Sequence, residues 1–182
     1  RFLVGAGRVR APQQPADDPE GVADCVIVDG RPDTRRELDL RVGLPQQPLS
    51  SICSNEQWQD VHDQVADLIR NHQTTLVFVS TRRMCERTAH TLAERLGPES
   101  VMAHHGSLSR GMRQRVEDRL KRGELKAVVA TASLELGIDI GAIDLVCQIG
   151  SPRAISTFLQ RIGRANHRPG PDAVPRARLF AM

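Results

Sequence analysis

Four short segments of the sequence combine small, hydroxylated and basic residues, and each one directly follows an apolar run. They are Ser80-Thr81-Arg82, His104-His105-Gly106-Ser107, Thr131-Ala132-Ser133 and Gly150-Ser151-Pro152-Arg153. Hydroxyl groups, arginine side chains and backbone amides at helix N-termini are groups with which proteins bind phosphate. The pattern therefore indicates a phosphate-binding surface, and the alternative for any single Ser or Thr is that it only caps the helix that follows.

A second basic feature is a predicted helix from Ala154 to Ala165. At about 100° per residue from Gln160, Arg161 lies at about 100° and Arg164 at about 40°. The apolar residues lie between about 160° and 260°; they are Ile155, Phe158, Leu159 and Ile162. The arginine side of this helix carries no Asp or Glu partner, and unpaired like charges are mildly destabilising. We therefore expect the apolar side to anchor the helix and the arginines to project toward an anionic partner, with a solvated charged face as the alternative.

The elements that must position these residues alternate along the chain. Strands are predicted over residues 75–79, 101–103, 127–130 and 143–149, with an edge strand around 37–42 and further strands over 25–28 and 176–182. Helices are predicted over residues 54–69, where Ser54 and Gln57 form a capping box, and over 82–96, 109–122 and 154–165. This order is typical of an α/β fold with a parallel sheet covered by helices on both faces. In such sheets ligands bind at the carboxyl ends of the strands, where the four segments lie.

The composition argues against a membrane protein and against a secreted protein with disulfides. No apolar run approaches the roughly 20 residues of a membrane span, and the four cysteines include no Cys-x-x-Cys pair. We therefore expect a cytoplasmic protein whose cysteines are reduced thiols in the core. We also expect no metal site, because adjacent residues such as His104 and His105 point to opposite sides of a strand. Arginine accounts for 23 of the 25 basic residues, whereas only five residues are aromatic. Any nucleic acid should accordingly be contacted through its backbone rather than by base stacking.

The N-terminal part of the chain is irregular in composition. Residues 9–21 are rich in Pro, Gln and Asp, which is typical of a loop or linker. We predict a linker or extension from a preceding domain over residues 1–23 and one α/β domain over residues 24–182. The chain begins with Arg1 and ends at an apolar stretch, and we interpret it as a segment of a longer protein.

Three of these segments resemble the motifs of a known protein class. Gln160-Arg161-Ile162-Gly163-Arg164-Ala165-Asn166-His167 resembles motif VI of superfamily 2 helicases, residues 131–140 (TASLELGIDI) resemble motif V, and residues 77–82 (VFVSTR) resemble motif IV. Together with residues 104–109 (HHGSLS), the set is most similar to the large helicase-related (Lhr) family. The resemblance implies a RecA-like parallel sheet, the second of two motor domains, preceded here by an irregular N-terminal extension.

The resemblance also implies roles for individual residues. Arg164 and Arg161 match catalytic positions at the nucleotide phosphates, with Arg164 as the arginine finger that stabilises charge during phosphoryl transfer. The resemblance further implies cofactor-binding roles for Gln160, which connects the nucleotide to motor closure, and for Gly137, which lets the backbone approach closely. Asp139 matches a residue that meets either the ribose hydroxyls or the motif VI arginines. The backbone of the nucleic acid is contacted by Arg82 and Thr131, with Ser80, Thr81, His105 and Gly106 nearby. Asn166 and His167 depart from the common motif Q-R-x-G-R-x-G-R.

Two motifs needed for ATP hydrolysis do not occur in the sequence, namely the phosphate loop G-x-x-x-x-G-K-[ST] and the Asp-Glu-x-His box. The resemblance implies that ATP and magnesium are bound mainly by the first RecA-like domain, so that this chain alone is inactive. It also implies a single-stranded nucleic acid partner, DNA rather than RNA, and a role in DNA repair. The alternative function is a hydrolysis-incompetent α/β module that binds nucleic acid or a nucleotide.

Overall fold

The computed structural model describes residues 37–49, 53–135, 141–165 and 174–182. Within these ranges, six strands form one sheet: β1 Asp39–Gly43, β2 Thr75–Phe78, β3 Val101–His104, β4 Ala127–Ala130, β5 Leu145–Ile149 and β6 Arg176–Phe180. The strand order is β1-β6-β5-β2-β4-β3, and all neighbouring pairs are parallel. The predicted parallel α/β fold is confirmed. The predicted strand over 25–28 and the linker over 1–23 lie outside the described residues.

In the described part of the chain, four α-helices cover the two faces of the sheet: α1 Asn55–Arg70, α2 Arg82–Leu96, α3 Arg110–Lys121 and α4 Ile155–Ile162. Helices α1 and α2 bury apolar residues such as Val65 and Leu92 against one face. Helices α3 and α4 cover the other face, where Val116 belongs to the same core cluster as Leu76, and Phe158 to the same cluster as Ala177. Because both faces are covered, β2 and β4 are entirely buried, which is why they appear in the sequence as continuous apolar runs.

Local hydrogen bonds define where the helices begin. Ser54 Oγ accepts from the Gln57 amide at 3.1 Å while the Gln57 side chain accepts from the Ser54 amide at 2.8 Å, so the predicted capping box is present. Thr81 caps α2 and Ser109 caps α3, each accepting from an amide three residues later. Thr131 makes no such bond to the short 3-10 helix Ala132–Leu134 that follows it. Capping thus accounts for Thr81 but not for Thr131.

Helix α4 departs from the prediction in two ways. It ends at Ile162, with Gly163 as its C-cap, rather than continuing to Ala165. Only Phe158 and Ile162 are buried among its apolar residues, whereas Ile155 is 79% and Leu159 is 55% exposed. The prediction that all four apolar residues anchor the helix is therefore wrong, because the buried side of α4 consists of Phe158, Arg161 and Ile162.

No helix within the described ranges is both long enough and apolar enough to span a membrane.

Candidate nucleotide and nucleic-acid site

The candidate site lies at the carboxyl edge of the sheet. In the strand order β5-β2-β4-β3, Phe78 pairs with both Gln148 and Ala130, and Ala130 also pairs with His104. The segments after these four strands therefore leave the sheet side by side, as the sequence predicted. They carry the motif residues onto one continuous edge, with α4 beside β5.

Arg161 is the most enclosed charged residue at this edge, with an exposed fraction of 7%. Its Nε donates to Glu135 Oε1 at 2.8 Å, and its Nη2 bonds to the same oxygen. Its Nη1 donates to the buried Gln148 Oε1, and its guanidinium lies 4.8 Å from the centre of the Phe78 ring. Helix α4 itself supplies no acidic partner, as the sequence indicates, but Arg161 pairs with Glu135, which lies 26 residues earlier in the sequence.

Arg164 follows the C-cap of α4 and is half-buried. Its Nε and Nη2 both donate to the main-chain carbonyl of Glu135, at 3.1 and 2.7 Å. Glu135 in turn ends the 3-10 helix after β4, where its amide donates to the Ala132 carbonyl at 3.1 Å. Both arginines of the motif VI pair are thus attached to a single residue of the motif V segment.

Three residues of this cluster were not identified from the sequence: Glu135, Gln148 and Phe78. Gln148 is fully buried in β5, and its amide group donates to the carbonyls of Ile149 and Gly150 while its oxygen accepts from Arg161. The available signal was a single glutamine within an otherwise apolar strand. A polar side chain in such a position requires a partner, since an unpaired buried polar group costs about 1–3 kcal/mol.

A second cluster surrounds His104 at the end of β3. The ring Nδ1 lies 2.8 Å from Ser133 Oγ, and Nε2 lies 3.0 Å from Glu117 Oε1 on α3. Burial lowers the pKa of His104, and the bond to Glu117 only partly opposes this effect. The Ser133 hydroxyl also donates to the main-chain carbonyl of His104 at 3.0 Å, so Ser133 contacts both the ring and the backbone of this residue. In the same loop, the amide of Thr131 donates to the His104 carbonyl at 3.2 Å.

The neighbouring loop holds the other predicted backbone contacts. His105 is buried, and its Nε2 lies 2.6 Å from Glu86 Oε1 on α2. Its Nδ1 accepts from the Ser107 amide at 3.3 Å, and the Ser107 hydroxyl is bonded to Arg82. Nothing lies within 4 Å of where a Cβ on Gly106 would be, so the backbone there is open to an incoming group. Arg82 and the His105 loop therefore form one connected surface.

For some of the remaining predicted site residues the structure gives only their exposure, and others lie outside the described ranges. Ser80 and Thr81 are exposed at the end of β2, and Thr131 is half-buried beside them. Gln160 is exposed on α4. Gly137 and Asp139 lie outside the described residues, as does His167. The arginine, hydroxyl and amide donors at this edge suit phosphate oxygens, whereas no group of three or more His, Cys, Asp or Glu in the described ranges is placed to hold a metal ion.

Comparisons with known proteins identify the family to which this sequence is similar. The family model of the helicase conserved C-terminal domain matches residues 58–170. The chain is similar to the ATP-dependent helicase Lhr-Core of Methanocaldococcus jannaschii, with 42% identity over 92% of this chain and 18% of the relative. Its similarity to Lhr-Core of Methanothermobacter thermautotrophicus is 46% identity over 80% of this chain and 17% of that protein. The chain therefore spans less than a fifth of the length of these two relatives.

A solved structure shows the same architecture. The helicase Lhr of Mycobacterium smegmatis, bound to ssDNA and AMP-PNP, superposes with a TM-score of 0.73 and 42% identity. The match covers 82% of this chain and 20% of that chain. The fold of this chain is thus shared with part of a much longer protein.

Proposed function

Because the chain belongs to the helicase conserved C-terminal domain family, as the second RecA-like motor domain of a superfamily 2 helicase of the Lhr type, we propose that it supplies one wall of a shared ATP site. The observation that carries this proposal is the placement of Arg164 at the carboxyl edge of the sheet, fixed by two bonds to the Glu135 carbonyl. There it serves as the arginine finger, which stabilises charge that develops on the transferring phosphoryl group. Arg161 is the first arginine of the motif, and Gln160, Gly137 and Asp139 contact the nucleotide.

The opposite wall of the ATP site is the first RecA-like domain of the same protein. That domain holds magnesium and the β- and γ-phosphates, for which this sequence contains neither the phosphate loop nor the Asp-Glu-x-His box. Magnesium supplies charge neutralisation at those phosphates when bound. This chain contributes the two arginines together with Gln160, Gly137 and Asp139 but none of those phosphate-binding motifs, so the chain by itself does not hydrolyse ATP.

The same edge contacts a single strand of nucleic acid through its phosphates. The contacts come from Arg82, Thr131, Ser80, Thr81, His105 and Gly106. This surface combines a guanidinium, hydroxyls and an open backbone, and these groups bind phosphate without reading base sequence. DNA is favoured over RNA because the similar Mycobacterium smegmatis protein is bound to ssDNA. We place the parent protein in the cytoplasm, with a role in DNA repair.

The test is the ATPase activity of the longer protein that contains this domain, measured with single-stranded DNA and RNA of matched sequence. We expect hydrolysis that depends on the strand and is stimulated more by DNA than by RNA. Strand binding without any ATP hydrolysis would instead establish the hydrolysis-incompetent binding module. Stimulation by RNA alone would overturn the choice of DNA while leaving the motor function intact.

A further inference from the structure

Glu135 contacts both arginines of motif VI, through two different parts of the residue. Its carboxylate accepts from Nε and Nη2 of Arg161, and its main-chain carbonyl accepts from Nε and Nη2 of Arg164. The first contact is buried, with side-chain exposures of 9% for Arg161 and 14% for Glu135. We propose that Glu135 is a positioning residue, through which buried Arg161 sets the orientation of Arg164. This inference rests on the proposed role of Arg164 at the nucleotide.

Arg161 is almost completely buried. Its three nitrogens bond to Glu135 and Gln148, and the flat face of the guanidinium lies against the Phe78 ring. Each guanidinium nitrogen thus already donates to a protein oxygen, and only 7% of the residue is exposed. Its role is therefore to hold Glu135, which differs from the direct phosphate contact that the resemblance implies for Arg161.

Arg164 is held in a different way. Two N–H groups on one edge of its guanidinium share the Glu135 carbonyl, at 3.1 and 2.7 Å. Two donors on one acceptor fix the direction of the guanidinium plane as well as its position. The carbonyl oxygen can hold Arg164 in one orientation only if Glu135 itself does not rotate.

Two contacts prevent that rotation. On the N-terminal side, Leu134 is buried in the core and the Glu135 amide donates to Ala132 in the 3-10 helix. On the side-chain side, the carboxylate is held by Arg161, which is itself anchored to β5 through Gln148. Loss of Arg161 removes the second contact and leaves Glu135 held on its N-terminal side only, so Arg164 is oriented less firmly. Misplacement of a catalytic group by about 1 Å can cost about 10²-fold in rate.

The first test is a double-mutant cycle in kcat, measured on the longer ATP-hydrolysing protein with Arg161→Lys, Arg164→Ala and the two combined. We expect Arg161→Lys to lower kcat by about 10²-fold in the wild-type background. We expect no further loss when it is added to Arg164→Ala, since residues that act through one another are not additive. Losses that multiply would mean that Arg161 acts on the nucleotide independently, and would overturn the inference.

Glu135→Gln provides a second variant that keeps an oxygen acceptor of the same shape but removes the charge. It should lower kcat with little change in the KM for ATP, and it too should have no added effect with Arg164→Ala. The matched control is Asp39→Asn, which weakens another partly buried ion pair, Asp39 with Arg178 at 2.9 Å, between β1 and β6. The control should leave kcat unchanged; an equal loss of kcat in both variants would mean a general loss of stability and would overturn the inference.

The second test does not depend on ATP hydrolysis. In the 182-residue chain, the Nε–Hε resonances of the arginines report on their hydrogen bonds. We expect the Arg164 resonance to shift and to exchange faster with water in both Arg161→Lys and Glu135→Gln, but not in Asp39→Asn. An unchanged Arg164 resonance would overturn the inference even if the proposed function holds, whereas an inactive parent protein would refute the function without deciding this link.

Discussion

The ring of His104 and the hydroxyl of Ser133 are hydrogen-bonded, with Nδ1 and Oγ 2.8 Å apart. This bond connects the end of β3 to the 3-10 helix that follows β4. On the far side of the ring, Glu117 Oε1 lies 3.0 Å from Nε2, so both ring nitrogens have a partner and the orientation of the ring is fixed. Thr131, a proposed strand contact, donates its amide to the carbonyl of the same histidine. The position of Thr131 therefore depends on the bond between His104 and Ser133.

We expect Ser133→Ala to weaken the binding of single-stranded DNA by the parent protein. The variant removes the contacts of Ser133 Oγ with the ring and the carbonyl of His104. Loss of a single hydrogen bond costs about 1 kcal/mol, so we expect a Kd that is higher by roughly fivefold or more. The measurement is fluorescence anisotropy with a labelled strand. Ser100→Ala is the matched control, because Ser100 bonds to Gly97 in the turn before β3, at the opposite edge of the sheet. Equal weakening by the two variants would refute a specific role for Ser133.

Arg82→Ala should weaken binding to strands of unrelated sequence by the same factor. Arg82 is exposed and is bonded to Ser107 in the loop after β3, where it can reach a phosphate. Loss of one phosphate contact should also reduce the slope of log Kd against log salt concentration by about one unit. Arg70→Ala serves as the control, because Arg70 is likewise exposed but ends α1 at the other edge of the sheet. A loss confined to one sequence would mean base readout and would contradict the backbone contact.

The isolated 182-residue chain should bind ATP weakly and should not hydrolyse it. Its arginines line only one wall of the site, so we expect a binding free energy no stronger than roughly −5 kcal/mol, in the high-micromolar range. Calorimetry on this chain, with the longer protein titrated in parallel, is the measurement. Low-micromolar binding by the chain alone would contradict a site divided between two domains.

Much of the fold follows from the sequence because its signals are local. Helix α2 occupies the predicted residues Arg82–Leu96, and β4 occupies Ala127–Ala130. Capping residues and short apolar runs act within a few positions along the chain, so each can be recognised without knowledge of the tertiary structure. The order of such elements was enough to predict the parallel sheet and its carboxyl edge.

The orientation of α4 did not follow, because it depends on residues distant in sequence. A helical projection shows which residues share a side of the helix, but not which side contacts the sheet. Arg161 is drawn inward by Glu135 and Gln148, and the helix turns so that Ile155 and Leu159 become exposed. The sequence of α4 alone therefore could not predict the buried ion pair between Arg161 and Glu135.

Acidification should destabilise the domain through His62. This residue is buried between α1 and α2, where it bonds to Thr88 at 3.3 Å. Burial, reinforced by the charges of Arg95 and Arg87, lowers its pKa to about 4, against the smaller opposing effect of Asp63. The unfolded chain therefore takes up a proton near pH 6.5 while the folded chain does not, and stability falls progressively from about pH 6.5 to pH 4.

Between pH 7.5 and pH 5.0 this residue alone should reduce the free energy of unfolding by about 2 kcal/mol. Urea unfolding of the 182-residue chain at the two pH values measures the change. His62→Phe should reduce the fall by that amount, whereas His90→Gln, at an exposed position on α2, should leave it in place. An unaltered fall in His62→Phe would contradict this assignment.

Arg164→Ala should lower the kcat for ATP hydrolysis by the parent protein far more than it weakens ATP binding. A guanidinium placed at the phosphoryl group acts on charge that exists mainly in the transition state, and arginine fingers contribute roughly 10³–10⁵ in rate. Arg164→Lys should not restore activity, because an ammonium group lacks the planar pair of donors with which Arg164 grips the Glu135 carbonyl. Steady-state kinetics, with strand binding followed in parallel, separates the two effects.

The matched control is Arg176→Ala, since Arg176 is an exposed arginine at the start of β6 and therefore at the amino edge of the sheet. It should leave both kcat and strand affinity close to wild type, because it removes the same charge from the domain at a site distant from the motifs. If Arg164→Ala instead keeps the wild-type kcat and only strand affinity falls, Arg164 binds the nucleic-acid backbone. The carboxyl edge would then be a binding surface alone, and the function would be that of a module that holds a strand without taking part in hydrolysis.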